Sequence, residues 1–596
     1  MANKKYKGKW ISRKTVMAKF GFTPRLMEQY LPKPRLVKNQ NAPQAPMIPL
    51  WSESEVQHIV DTTPELRAVL SERNSRKKKK KDDREKDIRD FLTGFSPETM
   101  IRDGRYMNRR FILHVGPTNS GKTYESLEAL KRAESGVYLG PLRLLALEVY
   151  ENMNRSGVPC SLLTGEECED MPGANITAST IELCDYNEHY AVAVIDEGQM
   201  IADPFRGPNW TKAITSVDAD EVHVCLAPEA LPLVRGMVER MEAPMEIRTH
   251  DRLVPLEYDG FFRDIEDVEP GDALIAFSRR QVLQIAAILE EKNIKASVIY
   301  GALPPASRRE EVRRFSEHET NIVVATDAIG MGISLPIKRV IFTEAEKFDG
   351  YERRPLNRTE VKQIGGRAGR FGKYDVGYVL SMEDPDLVEE GLRVPSDPIE
   401  KLTIGFPAEA LDYDGPLKDM LEIWDSLPKE ETFARADMSD ARFLLSKLSF
   451  LPKETPKELI YSFITCPVDI KSPKLVEYFL DCCSNIVNGF PVLKPYFGEG
   501  TLENCELKYH AYDVYHQLLR RIGEEDECIT EKTELSEKIN AFLKKTKSGF
   551  LRKCRICGKP LDANRFSVCE DCFREMIRGR RKGKPGRKPA PSAGTV

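Results

Sequence analysis

Long apolar runs are missing from this chain. No stretch of about eighteen consecutive apolar residues occurs among its 596 residues, so no membrane-spanning helix and no membrane partner are expected. A disulfide framework is missing too. Of the 13 cysteines, nine stand singly or as the Cys482–Cys483 pair, the pattern of reduced thiols. The N-terminus lacks the apolar core of a secretory signal, and it has no acidic residue before Glu28. That stretch is lysine-rich rather than arginine-rich. A cytoplasmic location is therefore expected, with an organellar transit segment as the alternative. Net charge is small, at −4, but it hides basic ends and an acidic middle. It does not argue against a polyanionic partner.

What is present indicates several domains, since the chain is too long for one core. Ser12 and Thr23-Pro24 are N-cap signals for two short helices broken at Gly21. They read as a helix-turn-helix or a plain helical hairpin. Pro43, Pro46 and Pro49 suggest an extended connector. The run Arg76 to Lys81 reads as a solvated linker or helix face. From Arg109, short β-type runs alternate with amphipathic helices: Phe111–Val115, Val137–Leu139, Ala191–Ile195 and Val222–Leu226. A second series follows: Ala273–Phe277, Ser297–Tyr300, Ile322–Ala325, Arg339–Phe342 and Gly377–Leu380. Two such series predict two parallel α/β sheets. Leucine-rich helical texture then runs to about Thr546.

The strand Phe111–Val115 leads into Gly116-Pro117-Thr118-Asn119-Ser120-Gly121-Lys122-Thr123, followed by a helix. This is a P-loop in its strand–loop–helix context. Backbone N–H groups and the helix N-terminus attract phosphate oxygens. Lys122 reaches the β- and γ-phosphates of ATP, and the Thr123 hydroxyl suits Mg²⁺. The strand Ala191–Ile195 delivers Asp196, expected to hold Mg²⁺, and Glu197, expected to orient and deprotonate water. Gln199 is placed to sense nucleotide. In the second series, Gln363-Ile364-Gly365-Gly366-Arg367-Ala368-Gly369-Arg370 puts two arginines on one helical face. That spacing suits charge stabilisation on a transferred phosphoryl group. Ala325-Thr326-Asp327-Ala328-Ile329-Gly330-Met331-Gly332 follows a strand. Asp327 and Gly330 are assigned to the nucleotide side of this loop.

Together these motifs resemble superfamily-two helicases of the DExH type, built on two RecA-like domains. The intervening words bring the resemblance to the mitochondrial degradosome RNA helicase family, the Suv-three type. They are Gly136 to Ala146, Thr164-Gly165-Glu166-Glu167, Val194-Ile195-Asp196-Glu197, Val298 to Pro305, Gln363 to Phe371 and Cys466-Pro467-Val468. The resemblance runs from about Arg109 to about Thr546. It implies ATP-dependent unwinding of RNA duplexes in the 3′→5′ direction, with RNA favoured over DNA. It also implies an RNA-processing partner such as a ribonuclease. Pro141, Arg143, Thr164 and Gly165, with Phe277-Ser278-Arg279, are carried over as backbone contacts to the tracking strand. Two positions depart from the family pattern. Gly198 stands where a bulky residue is usual, and Ala227-Pro228-Glu229-Ala230 replaces a Gly-Glu-Pro-Ala-like motif. Both bear on coupling hydrolysis to unwinding. A DNA helicase or translocase is the alternative reading, and an adaptor with a silent ATP site a third. Neither sequence nor resemblance sets the oligomeric state.

Cys554-x-x-Cys557 and Cys569-x-x-Cys572 predict a Cys₄ Zn²⁺ ribbon with no open coordination position. The basic tail that follows, from Arg574 to Lys588, suits phosphate binding. The expected organisation is an α/β protein in six segments. Residues 1–108 form an accessory helical module and basic linker, 109–250 the ATP-binding domain and 251–385 the second RecA-like domain. Residues 386–546 form an α-helical region, 547–578 the zinc ribbon and 579–596 a disordered tail.

Overall fold

The computed structural model describes residues 9–37, 48–165, 167–330, 335–350, 352–413, 415–524, 528–545, 552–553 and 560–561. The described residues fall into two units. One runs up to Phe95 and takes in Asp412–Leu427; the other holds Ser96–Leu411 and the described residues from Pro428 onward.

In the first unit, β1 (Trp10–Ser12) leads into α1 (Arg13–Phe20) and α2 (Pro24–Tyr30). Ser12 Oγ accepts from Thr15 N at 3.3 Å, and Thr23 Oγ1 from Leu26 N at 3.1 Å. Gly21 ends α1 at φ +78°, a left-handed conformation that favours glycine. β2 (Arg35–Val37) and β3 (Ile48–Ser52) complete a small antiparallel sheet ordered β1-β3-β2. Pro49 therefore lies in a strand rather than in a connector. The Trp51 ring holds it there, buried, with its Nε1–H donating to Pro32 O at 2.9 Å. α3 (Glu53–Thr62) and α4 (Pro64–Thr93) follow. Val16, Phe20, Met27, Trp51 and Leu66 share one core, so the helical pair is part of a small mixed module. The basic run lies within α4, not in a linker. Burial at both ends fixes the helix: Leu66 and Leu70 near its start, Ile88 and Leu92 near its end. Arg84 pairs with Asp419 at 2.6 Å, and the Phe91 ring meets Tyr413 at 5.0 Å, beside the helix Leu417–Ser426.

The second unit opens with α5 (Pro97–Gly104). Its first sheet has β4 (Arg110–Val115), β5 (Gly136–Gly140), β6 (Cys160–Leu163), β7 (Cys168–Glu169), β8 (Ile176–Thr180), β9 (His189–Ile195), β10 (Asp218–Leu226) and β11 (Met245–Thr249). The order is β11-β4-β10-β9-β5-β8-β6-β7, parallel except for β7. α6 (Lys122–Arg132), α7 (Arg143–Arg155), α8 (Gly207–Ser216) and α9 (Leu231–Arg240) make the crossovers. The buried stretches Phe111–Val115 of β4, Gly136–Gly140 of β5 and Val192–Ile195 of β9 read as continuous apolar runs for this reason.

The second sheet has β12 (Leu256–Phe261), β13 (Asp272–Ile275), β14 (Ala296–Ile299), β15 (Ile322–Ala325), β16 (Arg339–Phe342) and, after a hairpin of β17 (Glu346–Phe348) and β18 (Arg353–Pro355), β19 (Gly377–Ser381). It is all parallel, ordered β12-β19-β16-β13-β15-β14. α10 (Arg279–Glu291), α11 (Pro305–Ser316), α12 (Arg358–Gly365) and α13 (Pro385–Arg393) accompany it. The region beyond is helical, its longest member Leu502–Ile522, with one short parallel pair, Leu402–Ile404 and Phe433–Arg435. Among the described residues, no helix is long and apolar enough to cross a membrane. All nine cysteines there are free.

Candidate active site

β4 and β9 lie either side of β10 and end on the same edge of the first sheet. Their C-terminal ends therefore deliver the P-loop and the carboxylate pair to one place, as open α/β sheets do. Gly116 N donates to Leu226 O at 3.2 Å. A Cβ on Gly116 would stand 2.6 Å from His250 O, so the loop passes too close to its neighbour for a side chain. Asn119 at φ +62° and Gly121 at φ +80° curl the loop into the first turn of α6.

Lys122 is buried and donates to Pro117 O at 3.2 Å. The Thr123 hydroxyl faces Asp196 at 3.3 Å and 3.4 Å from its two carboxylate oxygens. Asp196 also accepts from Tyr138 OH at 3.0 Å and from Glu197 N at 2.9 Å. Burial, then the adjacent Glu197, push its pKa up, while Lys122 opposes them. Glu197 sits at φ +51°, and its carboxylate accepts from the Gln199 amide. Gln199 Oε1 in turn accepts from Ala227 N at 3.1 Å. The two departures from the family pattern thus meet in one network. A Cβ on Gly198 would lie 3.0 Å from Val224 and 3.2 Å from Leu226, which explains why a small residue fits there.

Across the cleft, α12 runs into Gly366 and Arg367. Arg367 donates to Gly330 O, with Nε at 3.1 Å. Burial lowers its pKa, and the charges of Glu197, Asp196 and Glu148 act against that. Gln363 lies against Gly330. The Glu148 carboxyl on α7 is raised by burial, and Arg370 and Arg367 pull it down. Asn119 Nδ2 donates to Gly369 O at 2.7 Å, and a Cβ on Gly366 would stand 3.1 Å from the Thr118 side chain. Asp327 points elsewhere and pairs with Lys347 at 3.1 Å.

Sequence reasoning missed Arg252. It donates to Thr118 O at 2.9 Å, to Gly366 O at 2.8 Å and to Ala368 O, joining the P-loop to the arginine segment. Burial, then Arg367, lower its pKa to about 10. It lies between β11 and β12, outside any motif, so only proximity reveals it. Glu148 escaped for the same reason, and Tyr138, inside the Gly136 to Ala146 stretch, because its hydroxyl partner Asp196 lies on another strand.

ATP and Mg²⁺ fit this donor set. The Ser120 hydroxyl, inside the P-loop, is buried with no hydrogen-bond partner. The Thr123 hydroxyl with the Asp196 carboxylate is the hard oxygen set that Mg²⁺ prefers. Cys554, Cys557, Cys569, Cys572, the basic tail and Gly332 lie outside the described residues.

A cavity of about 980 Å³ opens beside the cleft, lined among others by Pro141, Arg143, Gly165, Arg308, Gln517 and Arg520. Thr164 does not line it; it is buried, and its hydroxyl accepts from Glu167 N at 2.9 Å. Phe277 and Ser278 line a second cavity of about 450 Å³. Arg279 departs from the strand-contact expectation. It pairs with buried Glu506 at 2.7 Å, and Tyr300 OH donates to the same carboxylate at 2.5 Å. A charge spent on a buried partner is not available to a phosphate.

Comparison with known proteins now bears on this geometry. Residues 97–250 match the family described as the DEXQ-box helicase domain of Suv3, and residues 260–372 the helicase conserved C-terminal domain. The chain is 36% identical over 406 residues to the ATP-dependent RNA helicase SUV3L, mitochondrial, of Oryza sativa subsp. japonica, covering 65% of this chain and 55% of that one. It is 36% identical over 399 residues to the human ATP-dependent RNA helicase SUPV3L1, mitochondrial, covering 63% and 50%. It is also 36% identical over 428 residues to the rice ATP-dependent RNA helicase SUV3, mitochondrial, covering 68% and 72%. The chain thus spans about half the length of the first two relatives. All three are named mitochondrial, which overturns the cytoplasmic expectation. Lysine in place of arginine was a poor discriminator, because the acid-free positive charge is common to both readings.

Proposed function

This chain belongs to the Suv3 family of DEXQ-box helicases, and from that premise we propose that it is an ATP-driven RNA helicase acting in mitochondria. One observation carries the reading: the arginine segment of the second domain lies on the P-loop, with Asn119 Nδ2 2.7 Å from Gly369 O and Arg252 donating to both Thr118 O and Gly366 O, beside an unpaired Ser120 hydroxyl. When bound, Mg²⁺ supplies positive charge to the phosphates. Lys122 and the loop N–H groups would hold those phosphates, and Thr123 with Asp196 would hold the ion. Glu197, anchored by Gln199, orients water and takes its proton. Arg367 leaves Gly330 O to meet developing charge, and an arginine in this role contributes about 10³–10⁵ in rate.

RNA as substrate and the 3′→5′ direction rest on the family. The test measures ATP hydrolysis with no polymer, with single-stranded RNA and with single-stranded DNA, beside strand displacement from 3′ and 5′ overhangs. RNA-stimulated hydrolysis, abolished in Glu197→Gln, is expected. Stimulation by DNA alone would sink the RNA reading, and no hydrolysis at all would favour an adaptor. Cell fractionation tests the mitochondrial placement. Four thiolates at Cys554, Cys557, Cys569 and Cys572 suit a structural Zn²⁺ by spacing and donor type. Full zinc content in Cys554→Ser would refute that.

A further inference from the structure

Three of the chain's eight histidines form one row under the P-loop, on adjacent strands. His114 is in β4 two residues before Gly116, His223 is in β10, and His250 follows β11. His114 Nδ1 lies 3.1 Å from His250 Nε2. His250 Nε2 is 3.6 Å from Glu125 Oε2 on α6. These three ligand atoms all fall within 4.8 Å of one another.

We propose that His114, His250 and Glu125 form a binding site for a transition-metal dication of the zinc class, separate from the Mg²⁺ position at Thr123 and Asp196. The ligand chemistry is right, because imidazole and carboxylate together suit zinc, cobalt and nickel. The spacing is right as well. Zinc–nitrogen bonds of about 2.0–2.1 Å at a tetrahedral angle put two nitrogens about 3.3 Å apart. The observed 3.1 Å and 3.6 Å separations need shifts of only a few tenths of an ångström, and the third pair, His114 with Glu125, lies within 4.8 Å.

The surroundings orient each ligand. With the His114 Nδ1 lone pair on the ion, its proton sits on Nε2 and is donated to His223 Nδ1 at 2.9 Å. His223 Nε2 is buried without a hydrogen-bond partner and lies 3.5 Å from Glu221 Oε2, the outer carboxylate. Such imidazole-to-carboxylate relays fix the tautomer of metal-bound histidines. The second oxygen of Glu125 accepts from Arg248 at 2.8 Å, which holds the carboxylate in place. Glu125 is 44% exposed and gives the ion an entry path. Three protein ligands leave a fourth position for water. The bound ion would tie together the strand before the P-loop, the helix after it and the His250 carbonyl packed on Gly116.

The test strips the full-length protein of metal and titrates it with Co²⁺ and Zn²⁺. One equivalent of Co²⁺ is expected to give d–d absorption without thiolate-to-metal charge transfer, which separates this site from any cysteine site. Glu125→Gln and His250→Gln, at partly exposed positions, are expected to lose that equivalent while keeping their circular dichroism. Glu221→Gln is expected to weaken it about tenfold. If all bound Co²⁺ shows thiolate charge transfer, or if both ligand variants bind as wild type does, the site is refuted.

Discussion

Glu360→Gln isolates one charge in the helix that delivers Gln363 and Arg367. Glu360 forms a capping box with Asn357, each side chain accepting the other residue's backbone N–H at 2.9 Å. Its carboxylate also takes a bidentate Arg354, at 2.9 Å on both oxygens, and Lys347 at 2.8 Å. Burial alone would raise its pKa, but those cations outweigh burial and hold it at about 2. The ordinary value is about 4.3, and the difference corresponds to about 3 kcal/mol. Glutamine keeps the volume and the reciprocal cap, so the loss reports the ion pairs alone. Arg354 can rehydrate when freed, which makes about 3 kcal/mol an upper figure and about 2 kcal/mol the expectation. The sign follows from the lowered pKa. The stabilisation is complete above the unfolded value and is lost as pH falls from about 4 towards 2. A chain of this size does not unfold in two states. Hydrogen exchange of the α12 amides is therefore the assay, with opening about 30-fold more frequent in the variant at pH 7. A change under about twofold there, or a deficit undiminished at pH 3, would refute the reasoning.

Other outcomes follow from the same geometry. Arg252→Ala removes a half-buried guanidinium from three carbonyls on both sides of the cleft; the KM for ATP is expected to change more than tenfold, and an unchanged KM would show that the bridge is idle. Glu506→Gln strands Arg279 and should cost about 3–5 kcal/mol, whereas Arg279→Met with Glu506→Leu should cost far less; hydrogen exchange of the Leu502–Ile522 amides compares the two, and additive losses would contradict a coupled pair. Gly198→Ile forces a side chain against Val224 and Leu226 and should destabilise by about 1–3 kcal/mol, read as faster exchange of the β10 amides. Asn357→Ala removes one half of the α12 cap and should cost about 1 kcal/mol, measured by the same exchange experiment.

The motif residues could be read because their chemistry is local. A P-loop is a contiguous turn, and Lys122 and Thr123 follow it by helix geometry alone. Buried strands such as β4 and β9 announce themselves as apolar runs. Edge and diluted strands did not: β8 reads Ile-Thr-Ala-Ser-Thr, and β12 alternates half-buried with exposed residues. Sequence placed Arg279 on the nucleic acid because a motif is silent about a carboxylate 227 residues away. It placed Asp327 at the nucleotide because it could not see Lys347. Arg252, Glu148 and the histidine row belong to no motif. They act through pairs on separate strands and helices, and only packing brings those together. Residues expected to recognise phosphate through their own backbone could be named from the sequence; residues whose partners are distant in the chain, such as Arg279 with Glu506, were placed only by the tertiary fold, because burial and distance set the strength of a charge.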